Sequence, residues 1–144
     1  MRGILILGSL LLLTVGAVGL RNYQLELGSR ALNDEKGAVA VKRFELLAEL
    51  GDSKAQYLLG NIYAFGWAGT LKDDDKAIYW FRRAAMFTKG EADSAAPAEL
   101  EVAKSYAAGN DGATVNKEES MKWLLRAANG GNKEAASLLT KDKQ

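Results

Sequence analysis

The chain divides by how its apolar residues are spaced. From Ile4 to Leu20 no residue is charged and most are apolar, with Ile4–Leu7 and Leu10–Leu13 at the centre of the run. Beyond Arg21 the apolar residues recur three and four apart, the spacing of amphipathic helices. Ala55, Leu58, Leu59, Ile62 and Tyr63 make one such stripe, and Ala77, Trp80, Phe81, Ala84 and Ala85 make a second. Between them lies Gly66-Trp67-Ala68-Gly69, where glycine permits left-handed backbone at a helix end. Ser53 and Gln56 have capping-box spacing, which predicts a helix starting at Ser53. Asp73, Asp74 and Asp75 open the next helix, where negative charge meets the positive end of the helix dipole.

The same plan returns 43 positions later without a gap. Ala55 meets Ala98, Tyr63-Ala64 meets Tyr106-Ala107, and Gly66 and Gly69 meet Gly109 and Gly112. Trp80 meets Trp123, and Arg83-Ala84-Ala85 meets Arg126-Ala127-Ala128. A fixed period of this size is the mark of stacked helical hairpins. In the second copy Pro97 fits the first turn of a helix, where its missing N–H costs nothing. Asn116 and Glu119 repeat the capping pattern. Trp80 and Trp123, at equivalent places, are expected in the core. A shorter hairpin precedes, Tyr23–Asn33 and Ala38–Leu50, turning at residues 33–37. A last helix capped by Asn132 follows. The expected boundaries are a hydrophobic segment 1–20, a partial hairpin 21–51, repeats 52–94 and 95–131, and a capping helix 132–141. Residues 91–96 read as the joint between the two repeats. The fold class is all-α: a short α-solenoid of helix-loop-helix hairpins with an N-terminal hydrophobic helix.

Ile4–Leu20 is 17 residues, about 25 Å as a helix against about 30 Å of bilayer hydrocarbon. That length allows either a retained membrane anchor or a signal peptide cleaved near Ala17-Val18-Gly19. With Arg2 on the inner side, the remainder would face the far side of the membrane.

Composition narrows the chemistry. The chain has 144 residues, 19 basic and 18 acidic, with no cysteine and no histidine. That removes thiol nucleophiles, imidazole bases and the commonest transition-metal ligands together. No cofactor or metal is expected. The balanced charge lacks the basic footprint of a nucleic-acid binder, and no small-molecule substrate is suggested. Asp73–Asp75 lack the glycine and glutamate of a calcium loop. Glu99 and Glu101, or Glu118 and Glu119, point apart on a helix and cannot flank one bond.

At these residues the chain resembles the Sel-one-like repeat family, a branch of the tetratricopeptide class. The family pattern appears as Ala55, Leu59-Gly60, Tyr63, Gly66, Asp73, Lys76-Ala77, Trp80 and Ala84-Ala85. It returns as Ala98, Tyr106, Gly109, Trp123, Ala127-Ala128 and Gly131. Both glycine loops are one residue longer than the pattern. The second copy also has Ala103 where Gly60 stands, and Glu118-Glu119-Ser120 where lysine-alanine is expected. The resemblance implies a right-handed solenoid that acts as a non-catalytic adaptor or scaffold for a protein partner. In this class the first helix of each hairpin lines the concave side. That points to Lys54, Tyr57, Asn61 and Phe65 in the first copy and to Leu100, Lys104 and Ala108 in the second. Trp67, in a loop, is a further candidate anchor. The other reading of Tyr57 and Phe65 is that they pack on the upstream hairpin.

The leading expectation is an interaction module held at the bacterial inner membrane by residues 1–20, with its repeats in the periplasm. An alternative is a secreted or periplasmic inhibitor, such as an immunity protein that neutralises a toxin. An enzyme would need a catalytic constellation without histidine or cysteine, and the sequence offers none.

Overall fold

The alternation of apolar stripes and glycine-bearing loops folds into helices that pack in chain order. The computed structural model describes residues 2–86, 92–109 and 115–141, with side chains from residue 16 onward and, in the second stretch, from residue 95. The helices are α1 (Arg2–Asn33), α2 (Gly37–Glu49), α3 (Ser53–Phe65), α4 (Asp74–Met86), α5 (Ala92–Ala108), α6 (Lys117–Asn129) and α7 (Lys133–Lys141). A short 3-10 turn, Trp67–Gly69, follows α3. There is no strand among the described residues. Each helix packs on the next, and α3 also touches α5. The result is three antiparallel hairpins, α1–α2, α3–α4 and α5–α6, closed by α7.

Connections on each side of the array repeat. The Asp73 N–H donates to the Tyr63 carbonyl at 2.9 Å, and 43 residues on the Asn116 N–H donates to the Tyr106 carbonyl at 2.9 Å. Asp73 and Asn116 then cap the following helices, accepting from the N–H of Lys76 and of Glu119, both at 3.0 Å. On the opposite side, Gly51 (φ +91°) and Gly131 (φ +89°) take the left-handed backbone that lets the chain turn into the next hairpin. Asn132 caps α7 by accepting from the Ala135 N–H at 3.0 Å, as expected.

The main core runs the length of the first two hairpins and into α5. Ala40, Phe44, Leu59, Ile62, Ala84, Ala85 and Val102 are fully enclosed. Trp80 is buried, while Trp123 is half-buried and packs on the edge of the same core. A second, smaller cluster of Leu100, Ala127 and Ala135 joins α5, α6 and α7. Two close approaches set the helix spacing. A Cβ at Gly28 would lie 2.5 Å from the Phe44 ring, and one at Gly60 would lie 2.5 Å from the Phe81 ring. In the second repeat Ala103 stands where Gly60 does, and Leu124 where Phe81 does.

Three expectations change. The cap of α3 is Asp52, whose carboxylate accepts from the Ala55 N–H at 2.7 Å, so the helix begins at Ser53 without Ser53 as its cap. Gln56 does not reach back to that cap. It is enclosed and donates to the Ala48 carbonyl at 2.9 Å. Pro97 lies inside α5, not in its first turn, because the helix already runs from Ala92 through most of the expected joint.

α1 passes without a break through the expected boundary at residues 20 and 21. The anchor or signal segment falls mostly on residues 1–15, whose side chains lie outside the described residues. Among the described residues no helix is long and apolar enough to cross a membrane. The second glycine loop, from residue 110, also lies outside the described residues.

Candidate functional site

The residues expected on one concave surface separate into two groups. On α3, Lys54 is exposed in the first turn. Tyr57 is half-buried with its ring centroid 5.8 Å from that of Phe81, so it belongs to its own hairpin's packing. Asn61 is buried, and its amide donates to the Tyr57 carbonyl at 3.0 Å. It therefore presents little to a partner. The four-residue spacing of Tyr57, Asn61 and Phe65 does not make one open face. A helix wedged between two hairpins buries more of its circumference than a single stripe.

Phe65 and Trp67 form the exposed part of this set. Phe65 is 63% exposed and Trp67 42%, and their rings stack at 5.6 Å with 20° between planes. Phe65 ends α3 and Trp67 opens the loop that follows, which is tightly built. Gly66, Ala68 and Gly69 all have left-handed backbone, with φ of +64°, +52° and +74°. The Thr70 N–H donates to the Trp67 carbonyl at 3.0 Å. Below the turn, Gly37 at the start of α2 leaves no room for a side chain. A Cβ there would meet the Thr70 hydroxyl at 2.4 Å and the Ala68 carbonyl at 2.5 Å. Hence the aromatic pair sits at the start of a loop seated against the first hairpin. Leu71, 86% exposed, continues the apolar surface beyond it. Sequence reasoning missed Leu71, although its place after a glycine loop and outside either helical stripe marks it as unpacked.

In the second repeat Leu100 is 3% exposed and packs with Ala127 and Ala135. The structure thus places it in the core and not on an open face. The reason is α7, which covers the position equivalent to Tyr57. Lys104 and Ala108 line a cavity of about 170 Å³ with Ala64, Asp74, Phe81 and Glu101. Lys104 bridges Glu101 at 3.1 Å and Glu134 of α7 at 3.0 Å. Burial pulls its ammonium down, yet the hydrogen bonds to Glu134 and Glu101 outweigh that and hold its pKa above the ordinary lysine value. The cation is thus committed to closing α7 onto α5.

A pair of related contacts joins successive hairpins. In the first junction Gln56 satisfies the Ala48 carbonyl. In the second, the equivalent residue is Glu99, which has no proton to donate when ionised. Arg126 supplies the donor instead, reaching the Ala85 carbonyl at 3.3 Å and Glu99 at 3.0 Å. Its guanidinium also lies 4.5 Å from the Trp123 ring centroid, as Arg83 lies 5.3 Å from that of Trp80. Burial pushes the Glu99 carboxyl above the usual carboxylate range, and Arg126 offsets this only in part. Both titratable clusters are therefore structural ties. Among the described residues no group of acidic side chains could hold a metal ion.

Helical hairpins in register, repeated at 43 residues and tied by matching loop hydrogen bonds, define a helical-repeat protein of the solenoid class. The chain belongs to the Sel1-like repeat family: the Sel1 repeat profile matches residues 53–86 and 96–132. Its fold is similar to the crystal structure of a Sel1 repeat protein from Oxalobacter formigenes. The TM-score is 0.72 and the identity 28%, over 98% of this chain and 99% of that one. It is also similar to chitin synthase regulatory factor 4 of Schizosaccharomyces pombe, 34% identical over 71% of this chain. Chitin synthase regulatory factor 3 of the same yeast is 35% identical over 63% of this chain. The matches span only 15% and 10% of the lengths of those two relatives.

Proposed function

We propose that this chain is a non-catalytic scaffold that grips a polypeptide partner at the Phe65–Trp67 pair and is tethered to a membrane by the first part of α1. The observation that carries the reading is the stacked, exposed aromatic pair at the start of a loop locked against α2. Large rigid aromatic side chains lose little conformational freedom on binding and anchor interfaces disproportionately. Sel1 repeats generally serve as protein-interaction scaffolds, and the two yeast relatives are named as regulatory factors, not as enzymes. The tether rests on the uncharged run Ile4–Leu20. The membrane we propose is a bacterial inner membrane, with the repeats in the periplasm; the same run and Arg2 preceding it support that orientation.

The test is site-specific photocrosslinking in intact cells, with the crosslinking residue placed at Trp67 or, as a control, at exposed Leu125 on α6. A discrete adduct from position 67, weakened at least tenfold by Phe65→Ala while helicity and melting temperature hold, supports the assignment. Equal adducts from both positions, or an adduct indifferent to Phe65→Ala, would remove the aromatic pair from the binding role.

A further inference from the structure

The antiparallel stacking gives the solenoid two edges. One carries the α1–α2 turn and the Phe65–Leu71 loop, brought together where Gly37 meets Ala68 and Thr70. The other carries the α2–α3 connection and the C-terminal end of α4, joined by the Arg83–Glu49 ion pair at 3.3 Å. Arg21 of α1 pairs with Asp52 on this second edge. α1 therefore leaves the array here. It is 32 residues long and α2 only 13, which corresponds to about 48 Å against about 20 Å of helix.

Exposed apolar side chains gather around that exit. Leu50 is 80% exposed, Met86 72%, Leu20 60% and Val18 56%. None belongs to either buried cluster. Leu20 and Val18 lie within one helical turn of Arg21, so they continue the uncharged run right up to the array. There is no flexible stretch between that run and the repeats, because α1 is one helix. Ile4–Leu20 is also short by about 5 Å for a typical hydrocarbon core. A short span is accommodated partly by drawing its flanks inward. The flank here is the edge bearing Leu50 and Met86, with the exposed cation Lys54 in the first turn of α3 beside the α2–α3 connection. Such a side chain extends toward headgroups while its stem stays apolar.

We propose that this edge of the solenoid lies in the headgroup layer of a lipid bilayer around the exit of α1, with Leu50 and Met86 as its apolar contacts. The proposal rests on the tether reading of α1. It orients the molecule: the Phe65–Trp67 pair then faces away from the membrane, separated from it by the length of α3, about 20 Å.

The chain has no cysteine, so single-cysteine variants Leu50→Cys, Met86→Cys and Leu71→Cys of the full chain can each carry one nitroxide label. They are reconstituted in vesicles of phosphatidylcholine and phosphatidylglycerol. Collision with lipid-soluble oxygen is compared with collision with a water-soluble nickel chelate. The expected result is a severalfold shift toward oxygen at positions 50 and 86 and none at position 71. Labels at 50 and 86 that match position 71, in protein whose N-terminal segment is protected from added protease, overturn the edge placement and leave the tether standing. Protein that fails to float with the vesicles overturns both.

Discussion

At the scale of single residues, the repeats show how one packing problem is solved with different pairs. Gly60 lets the Phe81 ring approach α3 to a distance that no Cβ tolerates. At the equivalent positions the second repeat has alanine on one helix and leucine on the other, a larger residue for glycine and a smaller one for phenylalanine. Helix propensity alone would favour alanine over glycine at position 60 by about 1 kcal/mol. The clash outweighs this, because overpacking a closed core costs about 1–3 kcal/mol. Gly60→Ala is therefore expected to lose up to about 2 kcal/mol net of unfolding free energy in urea titration. Adding Phe81→Leu is expected to return most of it by copying the downstream pair. If the double variant is no more stable than the single one, the two positions do not share a contact that decides stability. The sequence displayed both halves of this exchange at one offset. The distance that makes them interdependent became visible only in the packed hairpins.

At the scale of elements, the joint between hairpins changes chemistry from one repeat to the next. Gln56 closes the first joint as a neutral amide, whereas Glu99 and Arg126 close the second as an ion pair on the same kind of carbonyl. Burial raises the Glu99 pKa above its ordinary 4.5, with Arg126 opposing. A carboxyl whose folded-state value lies above its unfolded one binds a proton more tightly when folded. Its penalty is absent well below the unfolded value and is fully present once pH exceeds the folded value. Arg126→Ala removes the opposing charge and should raise the folded value further. The melting temperature of Arg126→Ala is thus expected to fall below the parent near neutral pH, with the gap narrowing as pH drops toward about 4.5. A gap that stays constant across that range would mean that Glu99 is not the group responsible. The hairpins themselves, their glycine-ended helices and the asparagine cap at 116 were legible from spacing, while Asp73, expected to complement the helix dipole, proves to be a side-chain cap as well. The true cap of α3 was not, because Asp52 and Ser53 are both good caps and only the turn at Gly51 selects between them. Leu100 and Asn61 were misplaced for a related reason. Four-residue spacing reports a helix face, but which neighbours cover that face is a property of the stack.

At the scale of the whole molecule, cohesion is uneven along the stack. The first two hairpins and α5 share one continuous core, while α7 rests on the small Leu100–Ala127–Ala135 cluster and on the bridges of Lys104. In a linear array each unit is held only by its neighbours, so the weakly held end opens first. Amide hydrogens of α7 are expected to exchange at least tenfold faster than those of α3 and α4, measured by mass spectrometry at neutral pH. Matching rates would indicate a single cooperative unit instead. The N-terminal end is built differently. Asp52 receives the Arg21 guanidinium of α1 and at the same time the first-turn N–H of Ala55 in α3. One carboxylate thereby links the long helix to the start of the second hairpin, bypassing α2. Load applied along α1 thus has a direct path into the connection that opens α3, and the stack turns with the helix as a lever turns with its shaft.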